Sequence, residues 1–545
     1  MDREIINYWV RNIRNEDDRV EMETIMADEN TLEDRFCSEL KFGTGGLRGI
    51  VGMGTNCMNV YTAGRASKGL GSYMRVHGME KVAISFDSRK KSQLFAETAA
   101  RIFAGCGIQV VIVRELMPTP FLSFLTREER CGMGVMITAS HNPAEYNGYK
   151  VYDNKGCQIT DAVAAEVARF IEKENYFGEE YLSFEEYMRR GIISFAAEET
   201  EEKYLRGIRE IVGKADLHGL KIAYSALNGT GYRLVPKLLK SAGAEVVLTE
   251  PQCVPDENFA TCPYPNPEKK EALALGLRTA EDNTCDLLIA TDPDADRVGI
   301  AVRSDGKYEL LTGNEVGLLL LQYLLEERKK KGEDISRLFI IKTIVTTNLA
   351  EKIAADYGAG IINVLTGFKY IGEQIGFLED KGEIDRFLFG FEESCGYLVG
   401  TQVRDKDALV AALAICKMAA GYRAQGKNLK DKLRSIYEKY GSLTNLLLSY
   451  TFSGAEGHKK IEKIMAQLRR RYPEEICGKK IERCIDYMES EKTGFPKSNV
   501  LEFDFGNSES VVIRPSGTEP KLKIYLSVYH DTERMEKFFN ERIGL

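Results

Sequence analysis

Ser140 stands where an apolar segment gives way to a tight turn, in Thr138-Ala-Ser-His-Asn-Pro143. Pro143 prevents helical continuation and favours extended backbone at Asn142, so Val135–Ile137 is predicted to be a buried strand that presents Ser140 at its end. A serine in such a turn is commonly a cap that bonds its own backbone. His141 stands beside it and Lys150 follows in the same stretch. Ser140 becomes a candidate nucleophile only if other parts of the chain supply charge stabilisation.

Three aspartates at alternate positions, Asp292, Asp294 and Asp296, follow the apolar segment Leu287–Ala290. Like charges this close repel one another, and a divalent cation relieves that repulsion. Three oxygen ligands in so short a loop suit a hard ion such as Mg²⁺, with positions left for water or a phosphate oxygen. A solvated acidic turn is the weaker interpretation, because carboxylates fed by a buried strand are costly to leave unpaired. An EF-hand is excluded, because Arg297 and Arg303 stand where its glycine and glutamate are required.

Two further turns carry polar groups suited to a phosphorylated sugar. In Gly390-Phe-Glu392-Glu-Ser394-Cys-Gly396, polar side chains between small residues could bond sugar hydroxyls, although a helix start with acidic residues is the plainer interpretation. In Arg514-Pro-Ser516-Gly517-Thr518-Glu-Pro520, a guanidinium, two hydroxyls and exposed N–H groups lie in one rigid turn. Such a turn predicts a cradle for a phosphate that does not react, with a plain turn as the alternative.

Other cations lie in segments predicted to be loops. The glycine-rich stretch Lys41–Gly49 contains Arg48; its N–H groups could approach a phosphate, and a flexible turn is the alternative. Lys369 follows Thr366-Gly367, and Lys406 lies in Arg404-Asp-Lys-Asp407. A run of charges usually forms a solvated face.

The elements that position these residues repeat along the chain. A strand, a helix and a second strand are predicted at 82–86, 92–104 and 110–113, then at 220–224, 232–241 and 245–248, and again at 338–341, 347–357 and 360–364. Three such units predict three related α/β domains with mixed, mostly parallel sheets. The last part has one helix, three strands and a closing helix, which predicts a smaller α+β domain. We place the segments at 1–40 (a helical arm), 41–205, 206–312, 313–438 and 439–545.

Length and composition agree with a multidomain globular protein. The chain has 545 residues, 43% hydrophobic and 29% charged, so three or four domains are expected. The net charge of −8 argues against nucleic-acid binding, and twelve cysteines without paired spacing indicate reduced thiols. The N-terminus has no signal architecture, and the longest apolar run, 316–325, is too short for a bilayer. We therefore expect a soluble cytoplasmic protein without membrane or nucleic-acid partners.

The four motifs around Ser140, Asp292, Glu392 and Arg514 occur in an order and at a spacing that resemble the α-D-phosphohexomutase superfamily. The likeness covers nearly the whole chain beyond the arm and is strongest to the phosphoglucomutase and phosphopentomutase branch. It implies four domains around a central cleft, with one motif from each. It also implies a monomer or weak homodimer that acts on a small phosphosugar.

The resemblance assigns roles to individual residues. Ser140 would carry a phosphoryl group and hold Mg²⁺ together with Asp292, Asp294 and Asp296, and the reaction would pass through glucose 1,6-bisphosphate, which is also an activator. His141, Arg48, Lys150 and Lys406 would be catalytic, with Arg297 neutralising the moving group. Glu392, Ser394, Thr366, Gly367 and Lys369 would bind the sugar, and Arg514, Ser516, Gly517 and Thr518 its distal phosphate.

One departure bears on the substrate. Phosphomannomutase-type members are expected to carry a histidine shortly after the sugar-binding serine, where this chain has Gly396 and Tyr397. Lys150 or Lys406 would then be the general acid or base. We expect interconversion of glucose 1-phosphate and glucose 6-phosphate, with phosphopentomutase or phosphomannomutase as alternatives. An aspartyl-phosphate phosphatase and a non-catalytic phosphosugar-binding protein are the alternatives from other classes.

Overall fold

The computed structural model describes residues 3–43, 45–178, 180–452, 454–516 and 521–543. The chain divides into two compact units. The first comprises Met1–Leu311, Gly372–Lys381 and Gly396–Ala420, and the second comprises Thr312–Ile371, Gly382–Cys395 and Gly421–Leu545.

The predicted arm is three short helices, α1 (Arg3–Asn12), α2 (Glu16–Met26) and α3 (Glu29–Phe36). Asn15 and Asp28 cap the second and third helices with their side chains. Trp9 is completely buried, and its ring lies 5.1–5.6 Å from the rings of Phe36, Tyr61, Tyr176 and Phe177. The arm is thereby packed against the α/β domain that follows it.

The first α/β domain has a six-stranded mixed sheet in the order β1-β5-β4-β2-β3-β6. Strands β2, β3, β4 and β6 run parallel, and β5 is antiparallel to both β4 and β1. The bounds are β1 (Gly46–Ile50), α4 (Val60–Val76), β2 (Lys81–Phe86), α5 (Ser92–Gly105), β3 (Gln109–Ile112), α6 (Thr119–Glu128), β4 (Met133–Ile137), β5 (Tyr146–Asp153), α7 (Asp161–Ile171), α8 (Phe184–Arg189), β6 (Ile193–Phe195) and α9 (Glu198–Val212).

The second domain has a five-stranded sheet in the order β11-β10-β9-β7-β8, in which β8, β7 and β9 are parallel and β10 and β11 antiparallel. The bounds are β7 (Lys221–Ser225), α10 (Gly231–Ser241), β8 (Glu245–Leu248), α11 (Ala274–Asp282), β9 (Leu287–Thr291), β10 (Val298–Ser304) and β11 (Lys307–Leu311), with a 3₁₀ turn at Glu250–Gln252.

The next segment continues the parallel arrangement, since β12 lies between β13 and β14 and is parallel to both. The bounds are α12 (Gly313–Lys330), β12 (Phe339–Thr343), α13 (Leu349–Tyr357), β13 (Gly360–Val364), α14 (Phe368–Asp380), β14 (Phe387–Glu392), β15 (Gly396–Val399), α15 (Ala408–Arg423) and α16 (Leu429–Tyr440), with 3₁₀ turns at Ile335–Arg337 and Ile384–Arg386.

The last segment is built on an antiparallel sheet in the order β16-β22-β21-β20-β19. The bounds are β16 (Thr444–Thr451), α17 (Gly454–Arg470), β17 (Glu475–Ile476), β18 (Lys479–Lys480), β19 (Arg483–Asp486), α18 (Ser490–Thr493), β20 (Leu501–Gly506), β21 (Glu509–Pro515), β22 (Lys521–Val528) and α19 (Thr532–Ile543). Its inner face and the helices α17 and α19 enclose one apolar core. This is the smaller α+β domain that the sequence predicts.

The predicted fold class is confirmed, with three corrections to individual segments. Arg48 lies on strand β1, opposite Gly148 of β5, and not in a flexible glycine-rich loop. The stretch around Glu392 is a strand and a turn, so the interpretation as a helix start is wrong. The charge run 404–407 is buried in its entirety, so the solvated-face interpretation is wrong as well. No described helix has the length and apolar character required to cross a bilayer.

Candidate active site

Two loops that leave the carboxyl ends of parallel strands bring Ser140 and the aspartates together. Ser140 follows β4 and Asp292 follows β9, and ligands of α/β sheets bind at this edge. The Ser140 hydroxyl donates to Asp292 Oδ2 at 2.9 Å and lies 3.2 Å from His141 Nδ1. Ser140 is 3% exposed and has the left-handed φ of +52°. The predicted nucleophile and the predicted acidic loop are therefore in direct contact.

The three carboxylates form one buried cluster. One oxygen from each of Asp292, Asp294 and Asp296 lies within 4.8 Å of the others. The loop turns tightly because Ala295 adopts φ +48° and Asp292 Oδ1 accepts from the backbone N–H groups of Asp296 and Arg297 at 3.1 and 2.9 Å. Asp294 Oδ1 and Asp296 Oδ1 are buried and have no hydrogen-bond partner among the described residues. Oxygens left open in this way suit a hard cation, which prefers carboxylate ligands.

Two lysines neutralise part of this negative charge. Lys150 Nζ lies 2.9 Å from Asp294 and 3.6 Å from Asp296, and Lys406 Nζ lies 3.2 Å from Asp296. Burial by itself would lower the pKa of Lys150, but Asp294 and Asp296 raise it above its ordinary value. Lys150 therefore remains a cation at neutral pH.

The aspartates titrate differently because their neighbours differ. Burial, reinforced by Asp294 and Asp296, raises the pKa of Asp292 well above its ordinary value. Burial would also raise the pKa of Asp294, but the Lys150 ammonium and the Thr119 hydroxyl lower it. Burial and Asp294 also raise the pKa of Asp296, so the middle carboxylate carries the firmest negative charge and its two neighbours bind protons more readily.

Basic and neutral groups surround the serine. Arg48 Nη1 donates to the Asn142 side chain at 3.0 Å, and Arg297 Nη1 donates to Glu268 at 2.8 Å. Burial, together with Arg297 and Arg48, holds the pKa of His141 well below its usual range, so the imidazole is neutral. The site therefore combines a neutral histidine with fixed cations around Ser140.

The buried charge run locks Lys406 in place. Asp405 accepts from the Tyr152 hydroxyl at 2.8 Å and from the Lys406 backbone N–H at 2.8 Å. Asp407 accepts from the Tyr204 hydroxyl at 2.9 Å and from two N–H groups at the start of α15. Arg404 is paired with Glu379 at 3.0 Å. Each side chain of the run has its own partner, which is why four charges can be buried together.

The remaining predicted ligands lie in the second unit. Ser394 Oγ donates to Glu392 Oε1 at 3.1 Å, and Glu392 is buried. Thr366 has a buried hydroxyl without a hydrogen-bond partner among the described residues, Gly367 has φ +122°, and Lys369 Nζ lies 5.1 Å from the centroid of the Tyr370 ring. These groups border the ends of β13 and β14.

The predicted phosphate turn begins at the end of β21. Arg514 lies on that strand, opposite Lys523 of β22, and the Ser516 N–H donates to the Lys521 carbonyl at 2.7 Å. Gly517 and Thr518 lie outside the described residues.

The sequence analysis did not predict the residues that hold the predicted site residues in position. Thr119 donates to Asp294 Oδ2 at 2.8 Å, Glu268 holds Arg297, and Tyr152 holds Asp405. Arg89 donates to the Ser140 carbonyl. Only Arg89 had a local signal in the sequence, because Asp87-Ser-Arg89 places a charged pair directly after the buried strand β2. Thr119, Glu268 and Tyr152 act through contacts to residues that are distant in sequence.

Models of the phosphoglucomutase/phosphomannomutase family match the chain along nearly its whole length. Their α/β/α domains I, II and III match residues 39–177, 202–306 and 312–440, and their C-terminal domain matches 455–544. Together these matches cover well over half of the chain, in the order in which the family has its domains.

Curated relatives and a solved structure agree with these matches. A phosphoglucomutase of Staphylococcus epidermidis is 36% identical over 507 residues, 90% of this chain and 91% of that protein. A phosphoglucomutase of Staphylococcus saprophyticus is 35% identical over 535 residues, 95% of this chain and 96% of that protein. The crystal structure of Paramecium parafusin, a phosphoglucomutase, shares the fold with a TM-score of 0.71 at 18% identity, over 93% of this chain and 94% of that one. The chain belongs to the phosphoglucomutase/phosphomannomutase family.

Proposed function

We propose that this protein is a Mg²⁺-dependent phosphoglucomutase that interconverts glucose 1-phosphate and glucose 6-phosphate through phosphorylated Ser140. The observation that carries the proposal is the 2.9 Å hydrogen bond from Ser140 Oγ to the buried triad of aspartates. The curated relatives are phosphoglucomutases, and their similarity to this protein extends over almost the whole chain, which supports the same reaction.

In the first transfer, the bond between phosphorus and Ser140 Oγ breaks while a bond forms to the C6 hydroxyl oxygen of glucose 1-phosphate. The hydroxyl proton passes to a basic side chain, and Ser140 Oγ takes up a proton, which leaves glucose 1,6-bisphosphate. After this intermediate has turned around, the phosphoryl group at C1 returns to Ser140 and glucose 6-phosphate is released. Glucose 1,6-bisphosphate would also activate any enzyme molecules whose Ser140 lacks phosphate.

The residues of the loop 292–296, called the metal loop below, fit Mg²⁺. Asp292, Asp294 and Asp296 would hold it together with an oxygen of phosphorylated Ser140, and the two buried orphan oxygens support this assignment. When bound, Mg²⁺ would neutralise charge on the transferring phosphoryl group.

Positioning and charge stabilisation dominate phosphoryl transfer, and the cations around Ser140 fit that requirement. Lys150 stays protonated because Asp294 and Asp296 raise its pKa, so we assign it to charge stabilisation together with Arg48 and Arg297. Neutral His141 would donate a hydrogen bond without adding charge. Lys406 is held by Asp405 and Asp296 in a similar way, so Lys150 and Lys406 both stay candidates for the general acid or base.

Sugar and distal phosphate would be bound by groups of the second unit. We assign Glu392, Ser394, Thr366, Gly367 and Lys369 to the sugar, and Arg514, Ser516, Gly517 and Thr518 to the phosphate. A cytoplasmic monomer or weak homodimer remains our expectation from the sequence, and sedimentation velocity would measure the oligomeric state.

Ribose 1-phosphate is the second substrate to consider, because the phosphopentomutase branch shares the four motifs. The absence of a histidine at Gly396 and Tyr397 weighs against mannose phosphates. Comparing kcat/KM on glucose, ribose and mannose 1-phosphates would rank the three.

A ³¹P NMR time course tests the reaction class. Glucose 1-phosphate is incubated with the protein, Mg²⁺ and a trace of glucose 1,6-bisphosphate, and the 6-phosphate signal is expected to grow without inorganic phosphate. Inorganic phosphate would instead indicate the phosphatase, and binding without turnover would indicate a non-catalytic phosphosugar-binding protein. Ser140→Ala should abolish turnover while the protein remains folded; an active Ser140→Ala enzyme would refute the proposed nucleophile.

A further inference from the structure

A fully buried arginine lies behind the Ser140 turn. Arg89 follows β2, and its side chain is 0% exposed. Its Nη2 atom donates to the backbone carbonyls of Ser140 and Asn142, each at 2.5 Å. Its Nη1 atom donates to the carbonyls of Pro143 and Tyr146 at 2.8 and 3.0 Å. One guanidinium therefore satisfies four backbone acceptors of the segment that presents the nucleophile.

Arg89 is itself held from two sides. Its Nε atom lies 3.5 Å from Asp87 Oδ2, and Asp87 Oδ1 accepts from the Arg89 N–H at 3.0 Å and from Ser92 Oγ at 2.7 Å. Its guanidinium carbon lies 5.0 Å from the centroid of the buried Phe259 ring, which belongs to the second domain. Arg89 thus ties the Ser140 turn to the domain that carries the metal loop.

The turn needs such a support because its own geometry is unfavourable. Ser140 has a φ of +52°, a conformation that a residue with a side chain retains only where the surroundings enforce it. Within the turn, the Ser140 N–H donates to Thr138 Oγ1 at 2.8 Å and the Asn142 N–H donates to the Ala139 carbonyl at 3.2 Å. Neither bond satisfies the carbonyls of Ser140 and Asn142, which are the groups that Arg89 binds.

We propose that Arg89 is a positioning residue for the phosphorylated serine: it fixes the turn so that Ser140 Oγ points at Asp292. The proposal rests on the proposed function. An arginine suits this role better than a lysine, because its planar group presents donors in a fixed fork whereas a lysine directs its three donors from a single nitrogen. Arg89 cannot contact substrate, since it is completely buried. Its loss should therefore lower kcat and leave KM nearly unchanged.

The experiment compares Arg89→Met and Arg89→Lys with Arg65→Met as a matched control. Arg65 is also a largely buried arginine that supports a loop, donating to the Glu174 carbonyl at 2.9 Å and to the Tyr176 hydroxyl at 2.9 Å, away from the Ser140 turn. Three quantities are measured: kcat and KM for glucose 1-phosphate, uptake of phosphate on Ser140 from glucose 1,6-bisphosphate by intact mass, and hydrogen exchange of the 139–146 amides.

A misplacement of about 1 Å can cost about 10²-fold in rate, so Arg89→Met should lower kcat by about 100-fold with KM within about threefold. Phosphate uptake should slow by a similar factor, and the 139–146 amides should exchange faster. Arg89→Lys should recover part of kcat, and Arg65→Met should keep the wild-type kcat even if it is less stable.

Wild-type kcat in Arg89→Met, or an equal loss in Arg65→Met, would overturn the positioning role. If Arg89→Met does not fold, Arg89→Lys tests the positioning role instead, and a wild-type kcat in Arg89→Lys would overturn it. If the wild-type protein takes no phosphate from glucose 1,6-bisphosphate, the proposed function fails instead. In that case hydrogen exchange alone tests whether Arg89 fixes the Ser140 turn. Equal protection of the 139–146 amides in the wild type and in the Arg89 variant would refute this inference.

Discussion

Thr119→Val should weaken Mg²⁺ binding without touching any metal ligand. Thr119 is the first residue of α6, and it holds Asp294 twice, through its backbone N–H to the Asp294 carbonyl and through Oγ1 to Oδ2, both at 2.8 Å. Valine keeps the branched shape and the backbone bond but removes the hydroxyl. Asp294 Oδ2 is then left to the Lys150 ammonium, which lies 2.9 Å away and draws the carboxylate out of its orientation toward the metal.

The size of the effect follows from the hydrogen bond that is lost. A hydrogen bond to a buried charged group contributes about 1.5–3 kcal/mol, and losing a partner of a metal ligand typically costs about 10–100-fold in metal affinity. The Mg²⁺ concentration for half-maximal activity should therefore rise by about 10–100-fold, and saturating Mg²⁺ should restore most of kcat. Initial rates over a Mg²⁺ titration, with glucose 1-phosphate held above KM, measure the shift.

The same helix supplies the control. Thr126 is also fully buried, and its hydroxyl donates to the Leu122 carbonyl at 2.8 Å within α6, so Thr126→Val removes a hydroxyl without approaching Asp294. Its Mg²⁺ dependence should stay within about twofold of wild type. Equal shifts in both variants, or none in Thr119→Val, would refute the argument that Thr119 orients the metal ligand.

Three further predictions concern single charges. Lys150→Met should lower kcat by about 10²-fold, because one stabilising cation is lost at the reacting group, and a wild-type kcat would contradict that role. Arg514→Ala should mainly raise KM for glucose 1-phosphate, because a contact to the non-reacting phosphate is uniform binding; a large fall in kcat at constant KM would exclude it. Burial raises the pKa of Asp407 to about 6, above its value of about 4 in the unfolded chain, so the destabilising contribution of this one carboxylate is lost as pH falls from 6 to 4. Asp407→Asn should remove this pH-dependent contribution and be about 3 kcal/mol more stable than wild type near pH 7.5, with little difference near pH 4, as urea unfolding of both proteins at both pH values would measure; a difference between them that does not change with pH would refute it.

The strand–helix–strand core of each α/β domain was predictable because it repeats a local pattern, whereas further sheet strands such as β1, β10 and β16 were not predicted. β-branched runs such as Val110–Val113 and amphipathic helices carry their own signal, and the glycine and proline residues between them mark the turns. Ser140 and the three aspartates were predictable for the same reason, since a polar loop after an apolar strand is a local feature.

The supporting contacts were out of reach because they join residues far apart in sequence. Thr119 and Asp294 are separated by 175 positions, and Tyr152 and Asp405 by 253. Arg48 was misplaced because glycines predict a loop, yet Gly148 opposite it lets the two backbones approach closely in the sheet. The charge run was misread because sequence displays its four charges but not the four separate partners that allow their burial.

The docking of the arm determines what intrinsic fluorescence can report. Trp9 is the one tryptophan of the chain, and it is buried among aromatic rings at the junction of the arm and the first domain. Selective excitation of indole would therefore follow release of the arm and not melting of the sheets that carry Ser140 and Asp292. An early emission shift during urea titration would record local undocking, and circular dichroism would be required to follow global unfolding.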